Sequence, residues 1–205
     1  MTGQPPANRD RTVTSTKQST TYIDDITAEW RRERPDLDLD KLLLAIYLQR
    51  LGILISSDFE RYCQAQFKMR ASDLRVLLAL RRGGPQHSRR PTDLFRALLV
   101  TSGAVTKQID RLEKRRLVKR LPDQSYGGGF QVKLTETGLK LVDKVVATLA
   151  AGKAVALPLY DIPASERQTA LRFAFKAISA LEHAREVDGA KVKTARRGRA
   201  PQRKA

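Results

Sequence analysis

From Leu39 to Phe67 the chain runs without a proline, and its apolar residues overfill a single helical stripe. Leu44, Leu48, Leu51, Ile55, Phe59 and Tyr62 recur at steps of three and four, the period of one helix face. Between Leu42 and Ile55 further apolar residues widen that face. A helix apolar on most sides has to be covered on most sides. The other helical segments of one chain are too few for that, so Leu39–Phe67 is expected to be buried between two subunits. No uninterrupted apolar run approaches the roughly 20 residues that cross a bilayer, and no membrane partner is expected.

The remaining segments are shorter. Tyr22 to Arg34 has helical composition, with Ile23, Ile26 and Trp30 on one narrow face and Pro35 as its stop. Ser72 is placed to cap a helix from Asp73 to Arg82, ended by Gly83-Gly84-Pro85. A short helix follows Pro91-Thr92. Thr101-Ser102 opens another, running to about Arg116 with Val105, Ile109 and Leu112 inward. LVKRLP and FQVKLT, joined by DQSYGGG, predict a β-hairpin. Thr135 caps a further helix, and a last one runs to about Arg185 with Leu171, Phe175, Ile178 and Leu181 on one face.

Two short helices followed by a hairpin form the layout of a winged helix-turn-helix, whose second helix enters the major groove by its N-terminal end. The expected class is mainly α, with a small β-hairpin wing and dimerisation helices at both ends. The composition supports a nucleic-acid partner. Lys and Arg number 39 against 22 acids, a net charge of +17. Lys191, Lys193, Arg196, Arg197, Arg199, Arg203 and Lys204 supply part of the excess, and the rest of the chain remains clearly positive. Residues 1–20 read as a disordered arm and 186–205 as a disordered basic tail. Between them lies one unit, 21–185, with a DNA-binding lobe at about 70–135 and dimerisation helices at about 38–67 and 136–185.

The stretch PTDLFRALLVTSGAVTKQIDRLEKRRLVKRLPD, continued by VKLTETG, closely resembles the DNA-binding core of the MarR (multiple antibiotic resistance regulator) family. TSGAVTKQIDRLE is its most specific part, and FKMRASDLRVLLAL resembles the family's second helix. The resemblance spans roughly residues 38 to 183. It implies a cytoplasmic, nucleoid-associated homodimer that binds a pseudo-palindromic operator, as a repressor, and releases it on binding a small anionic or phenolic effector. Thr101, Ser102, Gly103, Thr106, Lys107 and Arg111 are expected at the major groove, and Lys119, Arg120 and Tyr126 near flanking phosphates. The family's wing arginine is missing: Tyr126, Gly127 and Gly128 occupy the tip.

An effector pocket of the family kind would draw on Trp30, Arg50 and Arg75. A leading helix with a tryptophan is similar to the urate-responsive branch. That branch's acidic residue, however, falls at Arg75 and its wing arginine in the glycine tract, so urate is not expected. Packing in the core or a dimer interface is the plainer role for Trp30. Cys63, the only cysteine, excludes a disulfide framework and a cysteine metal cage and reads as a small buried hydrophobe. His87 and His183 stand alone, His87 as a solvated turn residue. No catalytic, metal or cofactor motif is present. Two other functions fit the same residues: a sequence-indifferent architectural binder, and a ligand-binding dimer with weakened DNA contacts.

Overall fold

The computed structural model describes residues 21–123 and 129–197, with side chains as far as Arg185. Residues 1–20, 124–128 and 198–205 lie outside the described residues, and with them the expected arm, the wing tip with Tyr126, and the end of the basic tail. The chain divides into two compact units, one ending at Ile53 and the other beginning at Leu54.

In the first unit, α1 (Tyr22–Glu33) starts in a capping box: Thr21 accepts from the Asp24 amide, and the Asp24 carboxylate accepts from the Thr21 amide at 3.0 Å. The hydroxyls of Thr27 and Tyr47 lie 2.5 Å apart, and Arg50 stacks 4.3 Å over the ring of Tyr22. Tyr47 and Arg50 stand on α2 (Asp40–Phe67), which continues into the second unit. By length and composition alone α2 would suffice to cross a bilayer. No unbroken apolar run marks this, because Gln49, Arg50, Gly52, Ser56 and Ser57 interrupt the apolar residues. Leu39 and Leu43 are buried, whereas Leu44, Leu48, Leu51 and Ile53 are exposed on the single chain.

The second unit holds α3 (Ala71–Arg81), α4 (Pro91–Leu98), α5 (Ser102–Lys114), α6 (Glu136–Ala150) and α7 (Ala164–Arg197), with a 3-10 turn at Leu157–Tyr160. Its core gathers Leu74, Leu77 and Leu80 of α3, Leu94 of α4, and Ile109 and Leu112 of α5 around Val132, Val142 and Val145, all fully buried. Cys63 is fully buried with them. The hairpin is present as β2 (Val118–Asp123) and β3 (Gly129–Leu134), antiparallel with Val118 opposite Leu134. A third strand, β1 (Ser88–Arg89), lies on the far side of β3 and pairs Ser88 with Lys133.

Several boundaries differ from expectation. Ser72 does not cap α3. The helix starts at Ala71 after Arg70, which makes no side-chain cap, and the Ala71 amide donates instead to Glu60 Oε2 on α2 at 2.9 Å. A carboxylate from elsewhere in the fold performs the cap. The helix of α7 does not end near Arg185 but continues to Arg197. Its added stretch lacks proline and is rich in Ala, Lys and Arg, good helix formers, with the cations near the C-terminus where the helix dipole favours them. His87 does lie in a turn, as expected, but half-buried rather than fully solvated. Its φ is +49° and its Nδ1 is buried with no hydrogen-bond partner among the described residues. On α7, Leu171, Phe175, Ile178 and Leu181 do share a face, and it is exposed, Phe175 to 73 %.

Candidate nucleic-acid interface

Helices α4 and α5 are joined by a tight turn in which Leu99 adopts a left-handed conformation (φ +55°). The Val100 amide donates back to Phe95 O, and Thr101 then caps α5, its hydroxyl accepting from the Ala104 amide at 3.3 Å. The first turn of α5 contains no acid, so the positive end of its dipole is uncompensated. Val105, Gln108, Ile109 and Leu112 face inward, which fixes the outward face. Ser102, Gly103, Thr106 and Lys107 all lie on that face and are exposed. Thr106 donates its hydroxyl proton to Ser102 O at 3.1 Å and keeps acceptor capacity outward. A Cβ built on Gly103 meets no atom within 4 Å, so nothing inside the protein requires glycine there.

The C-terminal half of α5 is used differently. Arg111, expected at the groove, grips Asp73 of α3 through two hydrogen bonds of 2.9 and 2.6 Å. Asp73 is buried, and this bond raises the Arg111 pKa above its ordinary value. Arg120, expected at a phosphate, donates to Asp110 at 2.5 Å and to Glu113, while its guanidinium lies 5.2 Å from the centre of the Phe130 ring. It fastens β2 to α5. At the wing base Asp123, buried, accepts from Arg90 at 2.5 Å and from Gln131 at 3.3 Å. Lys119 is exposed on β2, opposite Lys133.

These struts were the part that reading along the chain missed. One signal was available: Asp73 falls on the same face of α3 as Val76, Leu77 and Leu80, and an acid on an apolar face needs a cationic partner.

The candidate pocket residues fall in both units. Trp30 is partly exposed and Arg50 stacks on Tyr22, both in the first unit; Arg75, in the second, lies 5.4 Å over Phe59. Burial pushes the Cys63 thiol up to about 11, which keeps it protonated and unreactive at neutral pH. Among the described residues no three His, Cys, Asp or Glu side chains gather as a metal site.

A capped helix presenting small polar and cationic side chains, braced against a second helix and a hairpin, defines a winged helix-turn-helix protein. Residues 68–125 match the model of the MarR family. The transcriptional regulator PecS of Dickeya dadantii is 31 % identical over 124 residues, which cover 60 % of this chain and 74 % of PecS. The chain belongs to the MarR family of transcriptional regulators. Solved structures agree on the fold. The MarR family regulator AbsC of Streptomyces coelicolor superposes with a TM-score of 0.59 at 27 % identity, covering 73 % of this chain and 97 % of AbsC. Sco3205 of the same organism, solved in complex with DNA, superposes at 0.59 with 21 % identity, covering 70 % and 88 %.

Proposed function

We propose that this regulator acts in the cytoplasm, on the nucleoid, as a homodimer that represses transcription from a pseudo-palindromic operator. Each subunit lays one α5 in a major groove, with Ser102, Gly103, Thr106 and Lys107 against the DNA and the α5 N-terminus at a phosphate. The observation that carries this is the unused outer face of α5: polar, cationic, and with a glycine that internal packing does not need. Lys119 contacts a flanking phosphate. Arg111 and Arg120 contribute by holding α5 and the wing in place, since their guanidinium groups are already committed to carboxylates. Dimerisation is supported by the exposed apolar residues of α2 and, separately, of α7, which a single chain leaves in water. A small anionic or phenolic effector that releases the operator is part of the same proposal, as an inference from family membership.

Selection of bound duplexes from a random pool tests the function. A regulator enriches one palindromic sequence and prefers it over scrambled DNA by about 10³ or more. An architectural binder enriches none.

A further inference from the structure

The C-terminal end of α2 is an unusual junction. Lys68 closes the helix in the left-handed region (φ +49°), its amide bonded to Gln64 O and the next amide, of Met69, to Cys63 O. That is the glycine-type helix ending, made here by a lysine. The carbonyls of Phe67 and Lys68, left without helical partners, both accept from one side chain. Arg115, the residue that ends α5, donates Nη1 to Lys68 O and Nη2 to Phe67 O, each at 2.9 Å. Its planar fork matches two neighbouring carbonyls, which a lysine ammonium does less well.

Two other polar attachments meet the same corner. Glu60 of α2 caps α3 through the Ala71 amide, and Asp73 of α3 holds Arg111, one turn before Arg115 on α5. Helices α2, α3 and α5 are thus tied in a closed loop of side-chain bonds. Within it, Arg115 is the direct tie between α2 and the recognition helix. In the second unit α2 also carries the exposed apolar Leu54, so in the dimer proposed above a partner subunit covering it would position this end of α2, and with it α5.

We propose that Arg115 is a positioning residue for operator recognition: it fixes the pitch of α5 against α2 and so sets the half-site spacing the dimer accepts. The proposal rests on the DNA-binding function argued above. Half-sites read by paired recognition helices lie about 34 Å apart, and one added base pair shifts and rotates one of them by an amount a rigid junction cannot follow.

The test uses the full-length chain and the duplex it selects from a random pool, with one base pair added or removed between half-sites. The wild type should bind the altered spacings about tenfold more weakly, the size of one misplaced contact. Arg115→Gln should reduce that penalty to about threefold or less while losing little affinity for the unaltered operator. Arg115→Lys should restore part of the penalty. Lys114→Gln, a neighbouring cation, should weaken all spacings equally. A full spacing penalty in Arg115→Gln, or a uniform loss like that of Lys114→Gln, overturns the proposal.

A measurement without DNA separates the two levels. Spin labels at Gln66→Cys and Lys107→Cys, in labelled chains diluted with unlabelled ones, report the distance between α2 and α5. The buried Cys63 stays unlabelled. The distance distribution should be narrow in the wild type and broad in Arg115→Gln; equal widths overturn the positioning role. A wild type that selects no duplex refutes the DNA-binding function, and the label distances still decide whether Arg115 holds the junction.

Discussion

The two halves of α5 both carry cations and put them to opposite uses. Ser102, Gly103, Thr106 and Lys107 face solvent, bonded to little beyond their own helix. Arg111 and Arg115 are bonded to α3 and α2, and the acids Asp110 and Glu113 hold β2 through Arg120. Arg111 and Arg115 in the second half are therefore worth stability and geometry, whereas Lys107 in the first half is free for a ligand. Charge count alone cannot separate the two uses; the partner does.

Glycines show the same division and give the sharpest contrast. At Gly138, in the first turn of α6, a Cβ would stand 2.0 Å from Leu117 O, the carbonyl that also accepts from the Thr135 amide. Gly138→Ala should cost about 3 kcal/mol, the upper part of the overpacking range, as read by denaturant melts. Next in size is Arg111→Met, which leaves the buried Asp73 carboxylate unpaired. Breaking a buried pair costs about 3–5 kcal/mol, and because Arg111 is partly exposed about 2 kcal/mol is expected here. A melt of Arg111→Met indistinguishable from wild type would return Arg111 to the groove.

The first half of α5 should respond in the opposite way. Gly103→Ala has room and removes a helix glycine, so it should raise stability by up to about 1 kcal/mol. It should also weaken operator binding, because the added methyl stands on the face proposed to meet DNA. Improved stability with unchanged affinity would remove Gly103 from the interface.

The smallest effect concerns pH. The Gln64 amide and then the Ala71 amide, both donating to Glu60, hold its carboxyl below the ordinary 4.5. A depressed carboxyl contributes stability that is present above pH 4.5 and is lost as pH falls through the lowered folded value. Glu60→Gln should therefore melt slightly below wild type at neutral pH and converge with it in acid. A gap that persists or widens in acid would contradict the Glu60 cap.

What the sequence made legible was local. Thr101 and Thr135 cap the helices they precede, Pro91 starts α4, and the hairpin follows its glycine-rich link, since each is decided within a few residues. What stayed hidden was held at a distance. β1 is two residues long and exists only by pairing with Lys133 and Val132. Glu60 replaced Ser72 as the cap of α3 from outside the segment, and Asp73 claimed Arg111 from another helix. The outward face of α5 was legible because the inward one, Val105, Ile109 and Leu112, is a plain helical stripe. Which of its cations were free was not, because that depends on acids brought near only by folding.

The division within α5 is tested most directly by Lys107→Ala, followed on the selected operator, on scrambled duplex and in a thermal melt. Lys107 is exposed on the unbraced half, so stability should stay within about 0.5 kcal/mol of wild type. Operator affinity should fall by about 1–3 kcal/mol, with a much smaller loss on scrambled DNA. Unchanged operator affinity, or an equal loss on both duplexes, would contradict base reading by the N-terminal half of α5.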